Sequence, residues 1–324
     1  MSETIKEFQP VVPGLQLTER YRIIGPLGSG AMGEVYRALQ IDLGREVAIK
    51  VIKNQGEDPE AARGRFRNEM QVTSRLAHPH IATVLDAGTT AEGRPFYVME
   101  LLFGDSLAER LASDGQQSPY KAAHLAIQIL HGVCEAHRLG IVHRDLKPSN
   151  VMLVTYATQD DFVKVVDFGL ARPFLPQPGC ELVSMMDMAS GTIAYMAPEQ
   201  LRCQPAGPAM DVYAVGHILA EMLLGHSPYH SLDVVDVVRR KLGEERYPFE
   251  SPILDGPLGP VVAQAVANDP RHRYRSAEQM LEDLEEHAAQ LSPALSRNVV
   301  VLPGGIGTSP EMHQVNPDLT RTMG

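Results

Sequence analysis

Apolar residues recur at two different periods along this chain, and the change of period divides it. Across 21–38, 47–52 and 95–102 they come in short alternating or continuous runs bounded by turn formers, the pattern of β-strands. An amphipathic helix is predicted over 65–76, ended by His78-Pro-His80, because a proline restricts the residue before it. Beyond residue 120 the helical period dominates. Leu125, Ile129 and Val133 repeat at i+4, as do Ala126, Leu130 and Cys134, which predicts a helix over 122–140 with Gly140 as its stop and Cys134 in its packed face. Residues 210–225 are apolar nearly all round, the mark of a helix through the middle of a domain. Asp211, His217 and Glu221 interrupt that stretch, and it is too short to span a bilayer. A last helix is predicted over 276–289, with Ser276 as N-cap and Glu278 and Glu282 near its positive end.

Polar residues concentrate between these elements, and two of the gaps carry chemistry. Ile141 and Val142 before, and Val151, Met152 and Leu153 after, read as short strands around the loop His143-Arg-Asp-Leu-Lys-Pro-Ser-Asn150. One carboxylate, one amine and one amide thus share a loop on a rigid base. A little further on, Asp167 ends the apolar run of Val165 and Val166, and Gly169 lets the chain turn away. Asp145 can accept a proton from a hydroxyl, Lys147 can neutralise a moving phosphoryl group, and Asn150 with Asp167 offers hard oxygen ligands to magnesium. Taken singly, each of these reads as a solvated turn. The second gap holds Gly28, Gly30 and Gly33 in G-x-G-x-x-G spacing. A dinucleotide fold would open a helix there, whereas residues 34–40 lead to a turn at 42–44 and another strand. The glycines therefore tip a hairpin whose backbone N–H groups can approach phosphates. In Val47-Ala-Ile-Lys50, a lysine interrupts an apolar strand and must reach water or an anion.

The order of these pieces, His-Arg-Asp-x-Lys-x-x-Asn followed by Asp-Phe-Gly, closely resembles the catalytic and magnesium-binding loops of protein kinases. The resemblance runs from about Tyr21 to Ala289. It implies an α+β, two-lobed protein-kinase-like fold: a small, mainly antiparallel β N-lobe over 19–101 with one key helix, and a larger, mainly helical C-lobe over 102–290. Residues 1–18 are expected as a flexible arm and 291–324 as a disordered tail or linker, rich in Pro, Gly, Ser and Thr. Lys147 two residues after Asp145, with Thr192 ahead of Ala-Pro-Glu199, is similar to the serine/threonine branch, in the style of the eukaryotic-type kinases of bacteria.

By the same resemblance, Leu27, Gly28, Gly30, Gly33, Val35, Ala48 and Lys50 contact the nucleotide, and Glu69 steadies Lys50. Met99 backs the adenine pocket, while the Glu100 carbonyl and Leu102 N–H bond the adenine edge. Asp145, Lys147, Asn150 and Thr192 are the expected catalytic group, and Asn150 and Asp167 the expected metal ligands, for ATP with magnesium or manganese. Asp211 braces the catalytic loop, and Arg273 pairs with Glu199. Arg144 stands where the family often binds a phosphorylated loop residue. Between Arg172 and Gly191 the only hydroxyls are Ser184 and Ser190, so such a switch uses one of these serines or is absent. Cys180 in that loop is read as incidental.

The implied activity is transfer of the ATP γ-phosphoryl group to Ser/Thr hydroxyls of protein substrates, including the chain itself. The rival from another class is a catalytically silent scaffold, whose usual mark, a lost Lys or Asp, is missing here. A dimer through the N-lobe is one arrangement the resemblance leaves open. The 324 residues suffice for a large core, and the net charge of −11 argues against nucleic acid as a bulk partner. Three scattered cysteines, no apolar leader and no membrane-length run predict a cytoplasmic chain without a disulfide framework.

Overall fold

A computed structural model gives the structure of residues 14–30, 33–53, 64, 66, 70, 73–156, 159–168, 190–243 and 251–291. Strands β1 (Gln16–Thr18), β2 (Tyr21–Gly30), β3 (Gly33–Gln40), β4 (Arg45–Ile52), β5 (Val84–Thr89) and β6 (Pro95–Glu100) form one antiparallel sheet in the order β1-β2-β3-β4-β6-β5. The two-residue period sorts their side chains. Tyr21, Ile23, Tyr36, Ala38, Val47, Ile49, Val51, Phe96 and Val98 build a core on one face. Ala48, Tyr97 and Met99, with Val35 beside them, pack on the other. β4 is apolar without alternation because both of its faces are covered. Part of the expected N-terminal arm joins this sheet: Gln16 pairs with Arg22, and Leu17 is buried.

The second body begins with β7 (Gly104–Ser106), α1 (Leu107–Asp114) and α2 (Pro119–Arg138). Strands β8 (Val151–Tyr156) and β9 (Gln159–Val165) complete a small sheet in the order β7-β8-β9. Helices α3 (Ser190–Ile193), α4 (Pro198–Leu201), α5 (Pro208–Leu224), α6 (Val234–Leu242), α7 (Ser251–Leu254), α8 (Gly259–Ala265) and α9 (Ala277–Ala289) follow. The start of α2 is fixed by Ser118, whose hydroxyl accepts from the Lys121 N–H, and by a proline in its first turn. Ser276 caps α9 as its sequence predicts, accepting from Gln279. α5 is buried from Met210 to Leu223 and packs against α2, α8 and α9. Gly216 makes the crossing with α8 close: a Cβ there would lie 2.6 Å from Ala265 Cβ. No helix among the described residues is long and apolar enough to cross a membrane.

Cys134 is free and buried, as its place on α2 predicts, and burial pushes its thiol up to about 12. Cys203 is disulfide-bonded, whereas the expectation concerned a disulfide framework, for which three scattered cysteines are too few. Cysteine count and spacing carried no information about which residues the fold brings within reach of Cys203.

Glu199 and Arg273 form the expected pair, bidentate at 2.5 and 2.8 Å and buried. Arg273 also donates to the carbonyls of Ala267, Ala209 and Asn268. All five guanidinium N–H groups are thereby used, a number no lysine can match. Arg273→Met should cost about 3–5 kcal/mol, the scale for stranding one partner of a buried ion pair. Arg273→Lys should recover only part of the loss; urea unfolding of both variants checks this, and an unchanged midpoint in either would contradict it.

His217 on α5 is fully buried, with its Nδ1 3.0 Å from the Tyr213 carbonyl. Burial first, then the Lys241 charge, hold its imidazole well below the ordinary 6.5. Burial lowers His78 and His80 as well. The unfolded chain binds protons near 6.5 that the native chain refuses, so this stability is present above 6.5 and lost as pH falls below it. Urea midpoints should drop between about pH 7.5 and 5.5, and His217→Leu should flatten that slope; an equal slope in the variant would exclude His217 as its source.

Candidate active site

The loop between α2 and β8 takes its shape from a buried carboxylate. Asp211, in the first turn of α5, accepts from the backbone N–H groups of His143 (2.8 Å) and Arg144 (2.9 Å) and lies 2.8 Å from His137 Nε2. The ring of His143 spans the loop: Nε2 contacts the Val166 carbonyl at 2.9 Å, and Nδ1 accepts from the Asp145 N–H. Arg144 takes a left-handed backbone, φ 68°, with its carbonyl held by Gln200.

On this frame the four residues of the expected catalytic group converge. Lys147 Nζ lies 3.1 and 2.9 Å from the two Asp145 oxygens and 3.2 Å from the Thr192 hydroxyl. The Asn150 amide donates to the Asp145 carbonyl (2.8 Å) and carboxylate (3.2 Å). Its NH₂ being used there, the Asn150 oxygen is left for another partner.

Asp167, also left-handed at φ 66°, stands opposite the N-terminal sheet. Lys50 Nζ donates to its Oδ2 at 2.6 Å, and the Tyr97 hydroxyl donates to its Oδ1. Burial works to raise the Asp167 carboxyl, but the Lys50 charge and the hydrogen bonds from Lys50 and Tyr97 outweigh it and hold the group below the usual range. A hard carboxylate oxygen and an amide oxygen are what magnesium takes from a protein when substrate phosphates supply the rest, so Asp167 and Asn150 fit that ion.

The glycine hairpin closes between Gly30 and Gly33, which pair across β2 and β3. Gly33 needs its missing side chain, since a Cβ would stand 2.3 Å from the Val51 carbonyl. Leu27 is exposed on β2, while Val35, Ala48 and Met99 pack together beneath the hairpin. Glu100 and Leu102 follow at the connector, where the Glu100 carboxylate accepts from Lys164 (2.7 Å) and the Thr83 N–H (2.8 Å). The expectations for Glu69, Ser184 and Cys180 lie outside the described residues, as does the side chain of Ser190.

Two residues were missed by sequence reasoning. Tyr97 shares the two-residue period of Met99 and sits opposite Lys50 in the β4–β6 register. Lys241 falls in the apolar stripe Val234, Val237, Val238, Lys241 of α6, a helical spacing that signals a buried position. Its amine donates to the carbonyls of Ala194 (2.7 Å) and Met196 (2.8 Å), between the rings of Tyr213 and Tyr229.

Comparison with known proteins gives the same picture. A family description, the protein kinase domain, matches residues 21–284. Serine/threonine-protein kinase PknL of Mycobacterium tuberculosis is 34% identical over 329 residues, covering 95% of this chain and 79% of PknL. Serine/threonine-protein kinase PrkC of Bacillus subtilis is 34% identical, covering 84% of this chain and 41% of PrkC. The probable serine/threonine-protein kinase CE0033 of Corynebacterium efficiens is 35% identical over 88% of this chain, which spans 42% of that protein. In architecture, the crystal structure of the M. tuberculosis PknI kinase domain superposes with a TM-score of 0.64 at 24% identity, over 86% of this chain and all of that domain. With the loop, the paired lysine and the two-body fold matched along most of its length, the chain belongs to the protein kinase family.

Proposed function

We propose that this chain is a serine/threonine protein kinase that moves the γ-phosphoryl group of ATP to Ser or Thr hydroxyls of proteins. The observation that carries this reading is Lys147 held between the Asp145 carboxylate and the Thr192 hydroxyl, with Asn150 on the same carboxylate. Asp145 orients the incoming hydroxyl and takes its proton. Lys147 places a positive charge beside the acceptor, where negative charge moves during transfer. Thr192 ties the segment that follows to the same amine, so the acceptor is presented next to the base. Lys50 holds nucleotide phosphates from the sheet side, and Val35, Ala48 and Met99 form an apolar surface for a base. When bound, magnesium supplies neutralisation of the phosphate charge; Asn150 and Asp167 would hold it. Under this reading the partners are ATP and proteins with accessible Ser or Thr, and a dimer through the N-lobe is one arrangement the resemblance leaves open.

A silent scaffold is the weaker reading, because neither lysine, neither aspartate nor the asparagine is lost, and they stand in two bonded groups, Lys50 with Asp167 and Asp145 with Lys147 and Asn150. Asp145→Asn should lower phosphate transfer to a generic Ser/Thr protein by about 10²- to 10⁴-fold while nucleotide affinity stays. Equal turnover by wild type and variant would sink the proposal. Asp211→Asn turns an amide NH₂ toward a backbone donor; kcat should fall about 10²-fold through misplacement of the loop, with the KM for ATP little changed. A rise in that KM with kcat intact would instead assign Asp211 to nucleotide binding.

A further inference from the structure

Tyr97 and Lys50 are directly opposed residues on neighbouring antiparallel strands, so their side chains leave the same face of the sheet. Both end on one carboxylate across the cleft: Lys50 on Asp167 Oδ2 and Tyr97 on Oδ1. The phenol ring is 1% exposed and packed with Ala48, Met70 and Met99. Its position is therefore set by apolar contacts and its hydroxyl by Asp167.

The two donors respond differently to a nucleotide. Lys50 carries a charge, and incoming phosphates compete with Asp167 for it. Tyr97 is neutral, and phosphates exert no such pull on its hydroxyl. As the ammonium is drawn toward phosphate, Oδ2 loses its partner while Oδ1 keeps the phenol. Asp167 needs that hold, because its left-handed backbone is one that a non-glycine residue adopts only when its surroundings fix it.

We infer that Tyr97 is a positioning residue that keeps Asp167 aimed at the divalent metal while Lys50 is shared with the nucleotide. This rests on the kinase reading for the presence of nucleotide and metal. A carboxylate oxygen that accepts one phenolic hydrogen bond keeps a lone pair for the ion. Tyr97 thus stands behind the ligand as outer-sphere donors do at other metal sites.

The test uses the whole chain with Mn²⁺ as probe and a non-hydrolysable ATP analogue, free Mn²⁺ being read by electron paramagnetic resonance. Tyr97→Phe keeps the ring and removes only the hydroxyl. It should weaken Mn²⁺ binding by about 10- to 100-fold, while analogue binding without metal and the thermal midpoint stay near wild type. Tyr97→Met, also without a donor, should reproduce the effect if Tyr97→Phe folds poorly. In turnover, the Mg²⁺ concentration for half-maximal rate should rise and kcat recover at saturating metal. Unchanged or tighter Mn²⁺ binding would overturn the inference, as would a parallel loss of metal binding, nucleotide binding and stability. A wild type that binds metal and analogue but transfers no phosphate defeats the kinase reading alone, and the Mn²⁺ titration still decides the role of Tyr97.

Discussion

The Asp211 carboxylate fixes the loop on which the site is built. It sits at the start of the most deeply buried helix and accepts from two successive backbone N–H groups of the loop, His143 and Arg144. A buried carboxylate is costly unless its lone pairs are occupied, and these backbone donors cannot rotate away as side chains can. The position of Asp145 is thus inherited from α5, and through α5 from the core of the helical body. Side-chain precision near the chemistry comes from helix packing some distance away.

Buried basic side chains support the opposite wall. Lys241 holds the carbonyls of Ala194 and Met196, and Arg273 holds Glu199, all within the stretch that follows Thr192. Each of these buried donors is satisfied by several acceptors, and burial, followed by the Arg273 charge, holds the Lys241 amine well below the ordinary lysine value. Between them they leave Thr192 where Lys147 can reach it. The acceptor side of the cleft is therefore braced from behind by α6 and by the loop before α9.

Short-range patterns made much of this legible in the sequence. The strand period put Lys50 on the opposite face from Ile49 and Val51, and the loop spacing of Asp145, Lys147 and Asn150 survives folding because the loop is short. The helix period placed α9 to within a residue and α2, expected over 122–140, to within three residues of its Pro119–Arg138 bounds. What was missed depends on register and contact. Tyr97 meets Asp167 only because β4 and β6 align it with Lys50, and no local pattern encodes that alignment. The helical spacing of Lys241 signals burial, but its partners, the Ala194 and Met196 carbonyls, come into view only when α6 is laid over Tyr213. The strand at Gln16–Thr18 is three residues long, too short for periodicity to detect, and the bonding of Cys203 is a matter of tertiary proximity alone.

Glu100, expected to serve through its carbonyl, also acts mechanically. Ile81 packs in the core of the helical body while Val84 belongs to the sheet, so the chain crosses between the bodies near Thr83 and crosses again after Glu100. At these crossings the Thr83 N–H donates to the Glu100 carboxylate, the Glu100 N–H donates to the Thr83 carbonyl, and Lys164 reaches across to the same carboxylate. The two crossings are cinched together rather than free to shear past one another. Asp167 lies across these crossings from Lys50 and Tyr97. The sheet and the helical body are thus tied at two places, at these crossings and where two donors meet one carboxylate.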